Sequence, residues 1–239
     1  MNRAEIPDTW IEYWEKERIF RPMMKKMTGY FYRKSRKLLS YQENDVVLDF
    51  GCGPGYLEEL LGDVVGMIYG VDTSLGMIEE CRRKFTEQKS VIFYKLDRDQ
   101  FTDLSMLGVE RFSIIICLSV VQYFRNPEEI KRLIESAVQV ALPGASFLIA
   151  DIPVKSNVLL DTYELLRSAA FEGFFFKAIQ FLFLSRFSEY YKVRSSRGLL
   201  CITISDLEGI IKEMHLEAQI LRIPLTYNRR RVHMLIKLN

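Results

Sequence analysis

Three glycines and one aspartate carry the clearest chemical signal in this chain. In "VVLDFGCGPGYLEELLGDVVG", residues 46–66, an apolar strand-like run enters Gly51, Gly53 and Gly55 and leaves into leucines. Glycines in a turn between strand and helix let backbone approach a ligand closely and aim helix N-terminal amides at a negative group. Asp72 closes the next strand-like run, "YGVDTS", 21 positions after Gly51. A carboxylate there can accept hydrogen bonds from both hydroxyls of a ribose. Glycines alone also describe an ordinary turn, so it is their pairing with Asp72 that points to an adenosine ligand. The spacing is G-x-G-x-G, with Tyr56 standing where the dinucleotide fingerprint requires its third glycine.

These residues need strands to position them, and the chain supplies a rhythm of strands. "DVVLDF", "GMIYGVD", "VIFYKLD", "FSIIICLS" and "SFLIADI" are apolar runs of strand length, each followed by a segment of helical character. That alternation predicts parallel strands with crossover helices. "IIICLSVV" is apolar without alternation, as in a strand covered on both faces, and belongs at the sheet centre. Residues 155–200 have helical patterns without strands. The rhythm resumes with Ser205 as a helix N-cap and Glu208 at capping-box spacing, predicting a helix over about 206–214. "EAQILRIPLTY" and "RVHMLIKL", separated by "NRR", then read as a hairpin with an antiparallel last strand. The expected architecture is one α/β domain, residues 1–239, with a cap over 1–40, a ligand-binding core over 41–154, an insertion over 155–200 and a closing helix and hairpin over 201–239.

The motifs resemble, in order along the chain, those of the class I S-adenosylmethionine-dependent methyltransferases. "VLDFGCGPG" is similar to the family's first motif, "GVDTSLGMIEECRRK" to its second and "VIFYKLDRDQF" to its third-strand motif. "FSIIICLSVVQYF" and "LPGASFLIAD" are similar to the fourth and fifth. The resemblance covers about residues 40–154 and the closing strands, and implies a Rossmann-like three-layer sandwich whose mostly parallel seven-stranded sheet ends in an antiparallel strand, with a helical cap. It implies S-adenosylmethionine as cofactor and S-adenosylhomocysteine as product. By the same resemblance Asp49, Gly51, Cys52, Gly53 and Gly55 belong to the loop that holds the methionine part, and Asp72 holds the ribose. Thr73 and Met77 lie against the adenine, and Asp97 with the amide of Arg98 fixes its edge. Leu118 and Ser119 border the methyl group. Ser113 departs from the pattern, standing where the family commonly has an aspartate, which weakens a structural contact.

A sulfonium methyl is already activated, so its transfer requires in-line positioning and exclusion of water, with a base only where the nucleophile must lose a proton. Many relatives carry a histidine just after the fourth strand; here the phrase is "SVVQYF", with Gln122 and Tyr123. That phrase is also similar to one in the methyltransferase domains of peptide and polyketide assembly lines. Of the two histidines, His215 sits where relatives often have a helix-ending glycine and reads as structural. His233, in the last strand, and Tyr123 are the catalytic candidates. No metal site is expected.

Two features bear on the acceptor. From Arg18 to Gln42 there are eight Lys or Arg and no acid, while Phe20, Met23, Met27, Tyr30 and Phe31 recur at helical spacing. This reads as a capping helix with a solvated basic face, leaving open an acidic substrate group, anionic lipid or RNA. The insertion holds Phe171, Phe174, Phe175, Phe176, Phe181 and Phe183, either packed on the N-terminal helices or forming an apolar acceptor pocket or an oligomer contact. The expected reaction is methyl transfer to a small, apolar or aromatic acceptor. RNA methylation and a non-catalytic cofactor-binding subunit remain alternatives. Against RNA stands the absence of the asparagine-proline-proline-aromatic signature of many amino-group methylating enzymes.

Lys and Arg total 33 against 31 Asp and Glu, a balance with no global pull toward nucleic acid or membrane. Four scattered cysteines and a charged first twenty residues predict a reducing cytoplasm. "FEGFFFKAIQFLFL", residues 171–184, is too short and too interrupted to span a bilayer, though peripheral membrane contact stays open. A monomer or homodimer is expected.

Overall fold

A computed structural model describes residues 10–16, 20–107, 112–154, 158–186 and 188–238. Arg18, residues 1–9 of the cap and residues 155–157 of the insertion lie outside the described residues. Two helices open the chain, α1 (Trp10–Lys16) and α2 (Arg21–Leu39). The core then alternates β1 (Val46–Phe50), α3 (Glu58–Leu61), β2 (Met67–Asp72), α4 (Leu75–Lys84), β3 (Val91–Lys95), β4 (Phe112–Leu118), α5 (Glu128–Val140) and β5 (Ala141–Pro153). Helices α6 (Val158–Phe171), α7 (Phe175–Arg186) and α8 (Glu189–Arg197) form the insertion. The chain closes with α9 (Ile204–Glu213), β6 (Glu217–Leu221) and β7 (Arg231–Leu238).

The seven strands run in the order β3-β2-β1-β4-β5-β7-β6. β1 to β5 are parallel, and β7 is antiparallel to both its neighbours, β5 and β6. The period of two divides β4 between two cores. Ile115 and Cys117 face α5 and α9, while Ile114 and Ile116 face α2, α3 and α4. All four are buried, at about 1.5–3 kcal/mol for each isoleucine. α5 answers with Ile130, Leu133, Ile134 and Ala137, an i, i+3, i+4, i+7 stripe. This is the expected Rossmann-like three-layer sandwich. At Ser113 the weakened contact is compensated: its hydroxyl donates to Asp45 Oδ1 at 2.7 Å and accepts from the amide of Val46 at 3.1 Å.

Two expectations are corrected. The cap of α9 is Thr203, not Ser205, and the capping box closes with Asp206 rather than Glu208. Thr203 has the extended backbone an N-cap needs, its hydroxyl accepts from the amide of Asp206 at 3.1 Å, and Asp206 accepts the amide of Thr203 at 2.9 Å. The hairpin also has a longer connection than "NRR". β6 ends at Leu221, and residues 222–230 form a loop that buries Leu225, Thr226 and Tyr227. His215, with a φ of 52°, takes the left-handed conformation at the end of α9.

The insertion packs on the N-terminal helices through two small clusters. Met23 meets Ala169, Phe174, Ala178 and Tyr227, while Trp10, Tyr13 and Phe20 meet Val193. The phenylalanines therefore divide. Phe174 is buried and Phe181 packs on Phe20, but Phe171, Phe176 and Phe183 are 81, 85 and 65% exposed.

Candidate active site

The carboxyl ends of β1, β2 and β4 converge on the glycine turn. Gly51 and Gly53 have φ of 79° and 52°, and a Cβ on Gly51 would lie 2.3 Å from Val120. Gly51 donates its amide to the carbonyl of Val71 at 2.7 Å, tying the turn to β2. Asp72 completes the tie, with one oxygen accepting from Gly53 N at 3.0 Å and the other from Ser74 N at 2.8 Å. Gly55 does something else. Its φ of 73° and the 3.0 Å separating an added Cβ from Cys81 and Phe85 make it a packing glycine against α4, outside the cavity lining. The helix after the turn, α3, is only four residues long, so backbone shape rather than a long helix end defines this turn.

A cavity of about 390 Å³ opens over the turn. Asp49, Gly51, Cys52, Gly53, Asp72, Thr73, Met77, Leu118 and Ser119 all line it, as does Tyr123. Asp97, Arg98 and His233 do not. Asp97 is exposed and accepts from the amides of Asp99 and Gln100 at 2.8 and 3.2 Å, closing its own turn. Arg98 pairs with Glu15 of α1 at 2.7 Å, while Leu96 and Phe101 take the lining positions instead. His233 is fully buried behind the wall, with Nδ1 accepting from the amide of Asp151 at 3.1 Å and Nε2 on the carbonyl of Ile223 at 3.0 Å. No ring nitrogen is left to take a proton from an acceptor.

The turn sits among buried acids. Burial, and then the charge of Asp72, push Asp49 up to about 7. Glu58 is fully buried with neither carboxyl oxygen hydrogen-bonded, and burial followed by the charge of Asp49 raises it well above the usual range. A cation in the cavity would favour the ionised forms.

The other end of the cavity has aromatic walls and a polar floor. Trp10 and Trp14 lie 5.0 and 5.5 Å from the ring of Tyr123, whose phenol is raised well above its ordinary value by burial. The floor centres on Asp151. Ser119, just after β4, and Asp151, at the register shift of neighbouring β5, take left-handed conformations, φ 60° and 68°, unusual for residues with side chains. Ser119 Oγ donates to Asp151 Oδ2 at 2.8 Å and Thr226 Oγ1 donates to Oδ1 at 3.0 Å, with Arg231 Nε at 3.8 Å. Sequence reasoning missed Asp151, Thr226 and Arg231. A carboxylate inside the apolar run "FLIADI" was the available signal for the first. Nothing local signals the other two, or the two tryptophans.

A family model described as a methyltransferase domain matches residues 47–144. The chain thus carries a methyltransferase domain over those residues. Within that domain lie the glycine turn, Asp72 and the β4 edge of the cavity; Asp151 and Arg231 fall beyond the matched residues. A ubiquinone biosynthesis O-methyltransferase of Coxiella burnetii is 30% identical over 108 residues, 44% of this chain and 43% of that protein. A segment of chondramide synthase cmdD from Chondromyces crocatus is 31% identical over 131 residues, 54% of this chain and 3% of that one. The matches thus span less than half of either relative. The crystal structure of a SAM-dependent methyltransferase from Aquifex aeolicus shares the methyltransferase fold, with a TM-score of 0.56 at 14% identity over 87% of this chain and 89% of that one.

Proposed function

We propose that the protein transfers the methyl group of S-adenosylmethionine to a small acceptor with an aromatic or apolar body, leaving S-adenosylhomocysteine. One observation carries this reading: a single cavity joins the glycine turn and Asp72 to the aromatic walls around Tyr123 and the floor around Asp151. The residues present fit the cofactor. Gly51 and Gly53 leave backbone open where a side chain would intrude, and Asp49 and Asp72 offer carboxylates to a ligand that carries positive charge and ribose hydroxyls. In this reading Asp49, Gly51, Cys52 and Gly53 hold the methionine part, Asp72 the ribose, Thr73 and Met77 the adenine, and Leu118 and Ser119 border the methyl. Bound there, the cofactor supplies an activated sulfonium methyl.

The remaining work belongs to the chain. Trp10, Trp14 and Tyr123 exclude water from the acceptor end. Tyr123, kept neutral, donates or packs rather than acting as a base. The carboxylate of Asp151, on the cavity floor, is the group placed to accept a proton from a hydroxyl or amine acceptor. His233 positions Asp151 from behind through its amide. An O-methyltransferase among the relatives supports a hydroxyl acceptor. Three buried and one exposed free cysteine support a reducing, cytoplasmic setting; among the described residues no helix is long and apolar enough to cross a membrane.

The test is S-adenosylhomocysteine formation by wild type and Asp151→Asn across a panel of phenols, catechols and aromatic amines. Product with at least one acceptor supports the reading. Binding of the cofactor with no turnover on any acceptor would favour a non-catalytic subunit.

A further inference from the structure

The turn between α6 and α7 presents aromatic side chains to solvent. Phe171 and Phe176 are 81 and 85% exposed, Phe175 lies beside Phe176 with ring centroids 5.9 Å apart, and Ile179 continues the outer face of α7 one turn on. The same helices bury their inner faces through Ala169 and Ala178, with Phe174 buried in the turn between them, so α7 is apolar on both sides. A surface helix normally turns polar residues outward. This one keeps its outward apolar face beside a basic one.

Positive charge surrounds the turn. Lys26 lies 4.9 Å over the ring of Phe174, Arg33 pairs with Glu172 at 2.8 Å, and Lys34 lies 5.3 Å over Tyr30, which packs on Tyr227 and through it on Phe174. Lys26, Arg33 and Lys34 are exposed, and Lys177 and Arg229 add exposed cations nearby. Between Phe171 and Arg186 the sequence holds a single acid, Glu172, already engaged by Arg33.

We infer that the α6–α7 turn docks the protein on an anionic lipid surface, with Phe171, Phe175 and Phe176 entering the headgroup layer and the cations of α2 meeting lipid phosphates. Aromatic insertion beside a cluster of lysines and arginines is the combination that gives reversible interfacial binding. A second copy of this chain fits less well, because pairing the face with itself would bring two basic clusters together. Leu165 and Phe181, on the inner sides of these helices, line the cavity, so docking sets the acceptor end beside the membrane.

The experiment is flotation of the full chain with vesicles of phosphatidylcholine alone and of equal phosphatidylcholine and phosphatidylglycerol, at low and high salt. Wild type is expected to float with the anionic vesicles only, and to be released by salt. Phe171→Ser with Phe176→Ser, and separately Lys26→Glu with Lys34→Glu, are each expected to weaken binding about tenfold or more. Unchanged thermal melting and S-adenosylhomocysteine affinity show that both variants remain folded. Failure to float with anionic vesicles, or flotation indifferent to both variants, overturns the inference. A dimer dissociated by the phenylalanine variant overturns it too, and assigns the face to a second copy.

Discussion

The two ends of the cavity are built by different means. At the glycine turn, position is set by backbone: Gly51 to Val71, Gly53 to Asp72 and Ser74 to Asp72 are hydrogen bonds among strand ends close in the fold and in sequence. At the acceptor end, position is set by side chains from distant segments, with Asp151 meeting Thr226, Arg231 and, through its amide, His233. Backbone geometry tolerates few changes, as the proposed cofactor end would require. Side-chain geometry can be rebuilt residue by residue, as the proposed acceptor end would allow.

The difference can be broken most severely at Gly51. An alanine there meets Val120 and a left-handed φ at once, so Gly51→Ala is expected to cost S-adenosylhomocysteine at least about a hundredfold in affinity. Adding Val120→Ala should restore the space but not the backbone, recovering only part in calorimetry. At the other end, Asp151→Asn is expected to slow methyl transfer by about 10²–10⁴, the usual range for a positioned proton acceptor, while leaving cofactor affinity within about threefold. Loss of cofactor binding in Asp151→Asn would erase the division between the two ends.

A smaller effect belongs to Glu58, beneath the glycine turn. Its folded value is raised, so the native state holds a proton that the unfolded state has released above about pH 4.5. Native stability therefore falls as pH rises from there toward the folded value, and Asp49 adds its own loss up to about 7. Glu58→Gln removes the first contribution, so its melting temperature should exceed that of wild type by about 2–4 °C or more at pH 8, with little difference at pH 4.5. The smallest effect is expected at Arg98. Its ion pair with Glu15 is half exposed, and Arg98→Ala should change stability by less than about 1 kcal/mol and cofactor affinity by less than about threefold. A larger loss of affinity would return Arg98 to the adenine site.

The same contrast explains what was legible in the sequence. The five parallel strands, the glycine turn and Asp72 are local patterns, and the structure places them as expected. At Asp97 a turn-closing carboxylate and a ligand-binding one look alike in sequence; the structure adds that it accepts the amides of Asp99 and Gln100. Thr203 took the cap from Ser205 because aspartate can close a capping box as well as glutamate. The hairpin loop is hidden in the sequence because Leu225, Thr226 and Tyr227 are buried like strand residues, Leu225 in the core and the other two on the cavity wall. The floor around Asp151 is legible only at Ser119 and in the carboxylate within "FLIADI", since no spacing links Asp151 to residues some 75–82 positions away.

The most direct measurement is calorimetric titration of S-adenosylmethionine and S-adenosylhomocysteine into wild type and Asp72→Ala, with NAD as the competing adenosine ligand. Saturable binding of both compounds by wild type, about a hundredfold weaker in Asp72→Ala and silent for NAD, is the result expected from the glycine turn and the carboxylate that holds it. Binding of NAD, or no binding of either adenosyl compound by folded protein, would contradict it.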